Sequence, residues 1–229
     1  MIHELAPPAD LAPWVDAFWE SNGGGSVRVL PDGCADLVID LGSANAVAVG
    51  TMTRPLFVTD SSDMLGVRFR PGYAAAFFGA PLAEFTDQRV SKRDRGMLAG
   101  RVSDARTGEE RFTVVASVLR RVLHDTMPDR RVTASVDRIV QSGGREPIEN
   151  ICTAVGISRQ HLARLFAHHV GVSPKTFARV ARFRRALRLA QNGRWADLAP
   201  ELGYFDQSHL IADFRGFAGD TPVPFFQSR

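Results

Sequence analysis

A chain of 229 residues that is 45% apolar and 23% charged has room for two ordinary soluble domains, and its mixed composition excludes a disordered or fibrous protein. Two cysteines, Cys34 and Cys152, exclude a disulfide framework and point to a reduced, cytoplasmic protein, while the lack of a basic segment leading into an apolar one, or of any run of about 18 apolar residues, argues against secretion and membrane spanning. The net charge of +3 is unevenly divided: residues 1–128 hold 13 Arg/Lys and 16 Asp/Glu, residues 129–229 hold 15 and 9, and a basic domain joined to an acidic one fits nucleic-acid binding by the basic part.

The first half opens with short strands. Trp14–Trp19 alternates in part; Val27–Leu30 and Leu37–Asp40 flank a Pro31-Asp32-Gly33 turn; Ala46–Val49, Leu56–Val58 and Leu65–Phe69 follow. Such spacing predicts a compact antiparallel sheet or barrel. After Arg70-Pro71-Gly72 the period changes, and Tyr73–Phe78, Pro81–Asp87 and Glu109–His124 read as helices, the last with Phe112, Val115, Val118, Leu119 and Val122 on one face. The expected fold class is α+β, with a β-rich domain over residues 1–126 that ends in helices.

This half offers little for catalysis. Its only histidines, His3 and His124, lie near its two ends, so no metal set is expected. Cys34 has no histidine nearby in sequence to act as a base, so it reads first as a structural thiol and only second as a sensor or nucleophile. Trp14, Phe18, Trp19, Phe57, Phe69, Tyr73, Phe77 and Phe78 form an aromatic set that packs a core or lines a cavity for a small apolar or planar ligand. Trp19, Asp36, Arg68 and Arg70 are the residues that could orient such an effector; ordinary surface ion pairs are the alternative for the charged three.

Thr126–Arg131, with Pro128 among charges, reads as the linker to a second domain over residues 130–229. There the pattern repeats. Gly156-Ile157-Ser158, Leu162, Phe166, Gly171 and Pro174 reappear as Gly203-Tyr204-Phe205, Leu210, Phe214, Gly219 and Pro222, at an offset of 48 residues that is 47 at the first glycine. In each copy a glycine stops a short helix, an apolar residue turns inward and a polar residue caps the next helix, the pattern of a helix-turn-helix. Leu162, Leu165 and Phe166 then bury one face and leave Arg159, Gln160, Ala163 and Arg164 on or near the other, side chains suited to reading base edges. Cys152 falls where the repeat packs, as a small core residue, and the adjacent His168 and His169 point too far apart to chelate together. Between the copies, Lys175–Gln191 lacks Gly and Pro and reads as an amphipathic helix of about 25 Å. It carries Arg179, Arg182, Arg184, Arg185 and Arg188 away from its apolar stripe, and Asn192-Gly193 supplies its stop.

Residues from about 130 to 226 resemble the paired helix-turn-helix domain of the AraC/XylS family of bacterial transcription regulators. The resemblance is carried by Gly-Ile-Ser-x-x-x-Leu-x-Arg-x-Phe at 156–166, Gly-x-Ser-Pro at 171–174, Gly203 to His209 and the closing Gly-Asp-Thr-Pro-x-x-Phe-Phe. It implies a seven-helix domain in which a linker helix holds two recognition helices toward successive major grooves of double-stranded DNA. Ser158, Arg159, Gln160, Ala163 and Arg164 would face DNA from the first, Gln207, Ser208, Ile211 and Arg215 from the second, and Arg185 from the linker helix. Two departures stand out: Ala212 occupies a position where the family usually has Arg, and Pro200 falls inside the helix before the second turn, which is expected to start late for that reason. The first unit is therefore expected to carry most of the base readout and the second to position the protein through phosphates. Leu30 to Leu37 and Val67 to Gly72 resemble the N-terminal domain of one AraC subgroup, which implies effector sensing or self-association; Pro31-Asp32-Gly33 is equally good turn chemistry. The zinc-bound alkyl-transfer domain of some relatives needs about four cysteines and is excluded.

The reading is a non-enzymatic transcription regulator without cofactor or metal, monomeric or homodimeric, with double-stranded DNA, a small-molecule effector and RNA polymerase as candidate partners. An effector-independent accessory DNA-binding protein and a thiol sensor built on Cys34 are the alternatives.

Overall fold

The structure, a computed structural model, describes residues 2–23, 25–60, 62–91, 96–189 and 195–227. Strands β1 (Ile2–Leu5), β2 (Val15–Ser21), β4 (Ala35–Asp40), β5 (Asn45–Val49), β7 (Met64–Phe69) and β8 (Arg89–Ser91) form an antiparallel sheet in the order β1-β2-β7-β4-β5-β8, while β3 (Gly25–Val29) pairs with β6 (Leu56–Asp60) in a separate ribbon. The turn at Pro31-Asp32-Gly33 is thus a crossing between sheets, because β4 pairs with β5 and β7.

Period-2 alternation assigns the two faces of the large sheet. Phe18, Leu37, Ile39, Ala46, Ala48, Leu65, Val67 and Phe69 pack against α1 (Ala74–Phe78), α2 (Gly96–Ser103) and α3 (Gly108–Leu123), whose Phe78, Val102, Val115, Leu119 and Leu123 complete the core. The register shift between Val15 and Ala17 lets Val15 and Phe18, three apart in sequence, enter that one core. Trp19, Val38, Val49 and Met64 point to the other face, with Met52 and Leu56 packed beside them. Trp19 sits opposite Gly66, where a Cβ would lie 1.9 Å from the indole, so the glycine makes room for the ring.

Among the described residues seven helices follow: α4 (Arg130–Gln141), α5 (Ile148–Val155), α6 (Arg159–His169), α7 (Pro174–Leu189), α8 (Trp195–Glu201), α9 (Gln207–Ala218) and α10 (Pro222–Gln227). Gly156 and Gly203 take left-handed φ of 71° and 77° after α5 and α8, the equivalent stops of the two copies. Helix α7 serves two cores: Phe177 and Ala178 pack with Val136, Ile151, Cys152, Leu162 and Phe166, while Val180, Phe183 and Ala186 pack with Leu202, Leu210, Phe214 and Phe217. Each such aromatic or leucine contributes on the order of 1.5–3 kcal/mol through burial, which fixes α6 and α9 to one support.

Several expectations change. Pro81–Asp87 holds a 3-10 turn at Leu82–Phe85 rather than an α-helix. Strands β1 and β8 and helix α2 were not anticipated. Pro200 does not delay α8, which begins at Trp195 and carries the proline in its last turn. Buried Ala199 and Leu202 hold that helix despite the missing N–H. The Asn192-Gly193 stop lies outside the described residues.

Candidate nucleic-acid interface and ligand cavity

Helices α6 and α9 each start from a side-chain cap. The Ser158 hydroxyl accepts from the His161 amide at 3.2 Å, and the Asp206 carboxylate accepts from the His209 amide at 2.7 Å. The caps satisfy orphan donors and set the entry angle of each helix. Leu162 and Phe166 are buried under α6, so Arg159, Gln160, Ala163 and Arg164 are exposed on its other side; under α9, Leu210 and Phe214 are buried, Gln207, Ser208, Ala212 and Arg215 are exposed and Ile211 is half-buried. Arg159 reaches Glu149 of α5 at 2.6 Å, an exposed pair that holds the guanidinium only weakly. Arg164 has no ion pair among the described residues. Phe205, 93% exposed in the turn before Asp206, stands beside the second cap. It went unnoticed in sequence because a Tyr-Phe pair reads as core.

The linker-helix arginines divide. Arg179 donates to Asp213 of α9 at 2.6 and 3.0 Å, and that carboxylate is 2% exposed. Arg182 lies over the Tyr204 ring with its Cζ 5.2 Å from the centroid. Arg185 packs against Gly143 and approaches Glu201 at 3.8 Å, so it ties α7 to α8 and to the end of α4 instead of standing free. Arg184 and Arg188 are exposed.

The N-terminal half holds a partly open cavity of about 490 Å³ between the sheet and the β3–β6 ribbon. Val27, Val29, Val38, Met52, Leu56 and Val58 form its apolar walls, and Trp19, Asp32, Cys34, Asp36 and Arg68 its polar end. Three of the four proposed effector residues therefore meet there. Arg70 lies outside the cavity, because β7 ends at Phe69 and the chain turns away through Pro71-Gly72. Trp19 Nε1 donates to Asp36 at 2.9 Å, and Arg68 binds Glu4 at 2.8 Å while its Nε stands 3.5 Å from Asp32 and 3.7 Å from Asp36. Burial, with Asp32 and Asp16 nearby, pushes the Asp36 carboxyl up to about 7. The Cys34 thiol is pushed up by burial and by Asp32 and Asp36, which disfavours the thiolate a sensor would use. Among the described residues no group of three His, Cys, Asp or Glu could hold a metal ion, and no described helix is long and apolar enough to cross a membrane.

A single layer of backbone separates this cavity from the helical domain. Val27 and Val29 line the cavity, and Arg28 between them donates to the Ala218 carbonyl at the end of α9 (3.4 Å) and lies over Phe225. Asp32 and Cys34 line it, and Gly33 between them, at φ 86°, meets the Phe177 ring of α7 so closely that a Cβ would lie 2.5 Å away. Gly50 and Met52 line it, and the fully buried Thr51 between them donates to the Val170 carbonyl at the end of α6 (2.6 Å). Thr86 adds a bond to the Gly171 carbonyl at 2.6 Å. Asp87 fastens the two segments together by accepting from the Thr53 amide and hydroxyl at 2.7 and 2.6 Å. Isolated threonines carry no sequence signal for such contacts.

Comparison with known proteins divides the chain in the same way. Residues 151–228 match the family described as Helix-turn-helix domain, and residues 3–91 match a domain of unknown function, DUF6597. An uncharacterized HTH-type transcriptional regulator of Haemophilus influenzae is 24% identical over 156 residues, which cover 65% of this chain and 52% of that protein, so the match spans about half the length of the curated relative. Among solved structures, ToxT from Vibrio cholerae aligns at 11% identity and a TM-score of 0.46 over 91% of this chain and 96% of that one. A ToxT described as bound to an unsaturated fatty acid aligns at 10% identity and 0.42, over 91% and 92%. Residues 151–228 thus match a helix-turn-helix family.

Proposed function

We propose, with an AraC-type double helix-turn-helix domain as the premise, that this chain is a transcription regulator that binds double-stranded DNA in a sequence-specific manner and senses a small molecule in its N-terminal domain. Helices α6 and α9 read successive major grooves with the exposed residues of their first two turns, Arg159, Gln160 and Arg164 on one and Gln207 and Ser208 on the other. Arg164 makes the principal base contact, and the second helix, lacking arginine at Ala212, contributes mainly phosphate contacts with Arg215 nearby.

The observation that carries the sensing role is the alternation at residues 27–29, 32–34 and 50–52, in which cavity-lining residues flank a residue bonded to or packed against α9, α7 or α6. A ligand that fits one arrangement of this layer better than another shifts the reading helices by its difference in affinity, and by reciprocity DNA shifts the affinity for ligand. Filling the cavity with Val38→Phe tests the coupling. The expected result is a folded variant whose affinity for selected DNA changes by threefold or more although residue 38 touches no reading helix. Unchanged affinity in a folded, cavity-filled variant leaves the accessory, effector-independent reading in place.

A further inference from the structure

The two helix-turn-helix units are joined by one helix. Phe177 and Ala178 of α7 belong to the core of the first and Val180, Phe183 and Ala186 to the core of the second, and the two cores share no residue. Direct ties, such as the exposed Arg145 stem against Gly203, lie at the surface. Units threaded on a single helix can still rock about it, because few buried contacts oppose the motion. The connection from β5 to β6 crosses from one unit to the other. Its Thr51 donates to the Val170 carbonyl at the end of α6, and its Pro55 stands against Gly219 at the end of α9, where a Cβ would lie 3.1 Å from the proline ring. The four steps from Thr51 to Pro55 reach at most about 14 Å, so the segment is a short strap between the two ends. Its middle is fastened. Asp87 accepts from the Thr53 amide and hydroxyl at 2.7 and 2.6 Å, its own amide donates to the Thr51 carbonyl at 3.3 Å, and Thr86 beside it holds the Gly171 carbonyl. Asp87 does this from a left-handed backbone, φ 57°, a conformation uncommon for a residue with a side chain. On the α9 side Arg28 reaches the Ala218 carbonyl at 3.4 Å and lies over the rings of Phe57 and Phe225.

We propose that the strap Thr51–Pro55, locked by Asp87, sets the distance and phase between α6 and α9 and so makes the protein selective for the spacing of the two halves of its DNA site. The assignment rests on the DNA-binding reading above and requires no ligand. Thr53, Asp87 and Arg28 are positioning residues: they act through the C-terminal ends of α6 and α9, opposite the ends capped by Ser158 and Asp206. One base pair more or less between the halves moves the second half by about 3.4 Å and turns it by about 35°. Units free to rock follow that change; strapped units do not.

The test uses the full chain and duplexes that carry both halves of the selected motif, with the spacer at its selected length or changed by one base pair in either direction. The native protein is expected to lose at least about tenfold in affinity for either altered spacer. Asp87→Gly removes the carboxylate that locks Thr53 yet accepts the positive φ without strain, so the fold is kept. Its spacer penalty should fall to about threefold or less, while its discrimination against a base change within either half stays native. Arg28→Ala cuts the α9 side of the strap without touching the lock and should give the same result, whereas Asp87→Asn, which keeps an acceptor for Thr53, should retain most of the native penalty. A native protein that tolerates the altered spacers, a full penalty in Asp87→Gly and Arg28→Ala, or variants that lose base discrimination in step with spacing would overturn the strap and leave DNA reading intact. If selection with the native protein enriches no two-part motif, reading by both units fails, and the strap with it.

Discussion

Arg164 and Phe205 are both exposed, for different reasons. Arg164 projects from α6 because Leu162 and Phe166 hold the opposite face in the core, and it has no ion pair among the described residues. Arg164→Ala is expected to cost roughly 1–3 kcal/mol in affinity for a selected site and to relax preference at one base step, measured by fluorescence anisotropy against specific and scrambled duplexes. An equal loss on both would mean that the arginine only meets phosphate. Phe205 is an exposed apolar side chain beside the second cap. Phe205→Ala should leave the melting temperature unchanged and weaken DNA binding severalfold; normal binding would place this ring off the interface. Asp36 links the residue scale to stability. Its folded-state carboxyl titrates near 7, above the ordinary value of 3.8, so the folded state holds the proton more tightly and stability declines as pH rises from about 4 to 7. Asp36→Asn should therefore flatten that decline and raise Tm at pH 8 by roughly 4 °C, with little change at pH 4. A parallel shift at both pH values would separate Asp36 from the pH dependence.

At the scale of elements, α7 is a shared strut, and its arginines are largely structural. Arg179→Ala would leave Asp213 buried without its partner, at a cost near the low end of about 3–5 kcal/mol because the arginine is partly exposed. Urea denaturation measures it, and a loss below about 1 kcal/mol would show that water replaces the arginine freely. Elements with a clean period were legible in sequence. The 3.6-residue stripe of α7 and the period-2 strands β4, β5 and β7 appear within a few residues of their predicted places. Others carried no such signal. All four residues of β1 are exposed and so show no alternation, β8 has three residues, and α2 contains Gly96 and Gly100, poor helix formers that its packing against α3 outweighs. The charged face of α7 was visible as a pattern, but its division into ties at Arg179, Arg182 and Arg185 and exposed groups at Arg184 and Arg188 depends on α8 and α9, whose placement no local pattern encodes.

Across the whole molecule, the helical packing face, the sheet and the ribbon with the cavity between them bring a ligand-sized space within one residue of the C-terminal ends of α6 and α9. Thr51, Thr86 and Arg28 hold the C-terminal ends of α6 and α9, and Ser158 and Asp206 cap the N-terminal ends, where the proposed DNA contacts lie. The two helix-turn-helix units were legible because the repeat is written twice; the cavity was legible only as the group Trp19, Asp36 and Arg68, since its walls come from strands in two separate sheets. The central claim is that two heads on one rigid support read one DNA site. Selection of bound sequences from a random duplex pool by the purified full-length protein, at fixed salt, addresses it directly. Enrichment of a two-part motif with its parts about one helical turn apart is the predicted result, and enrichment of a single part, or of none, would contradict it.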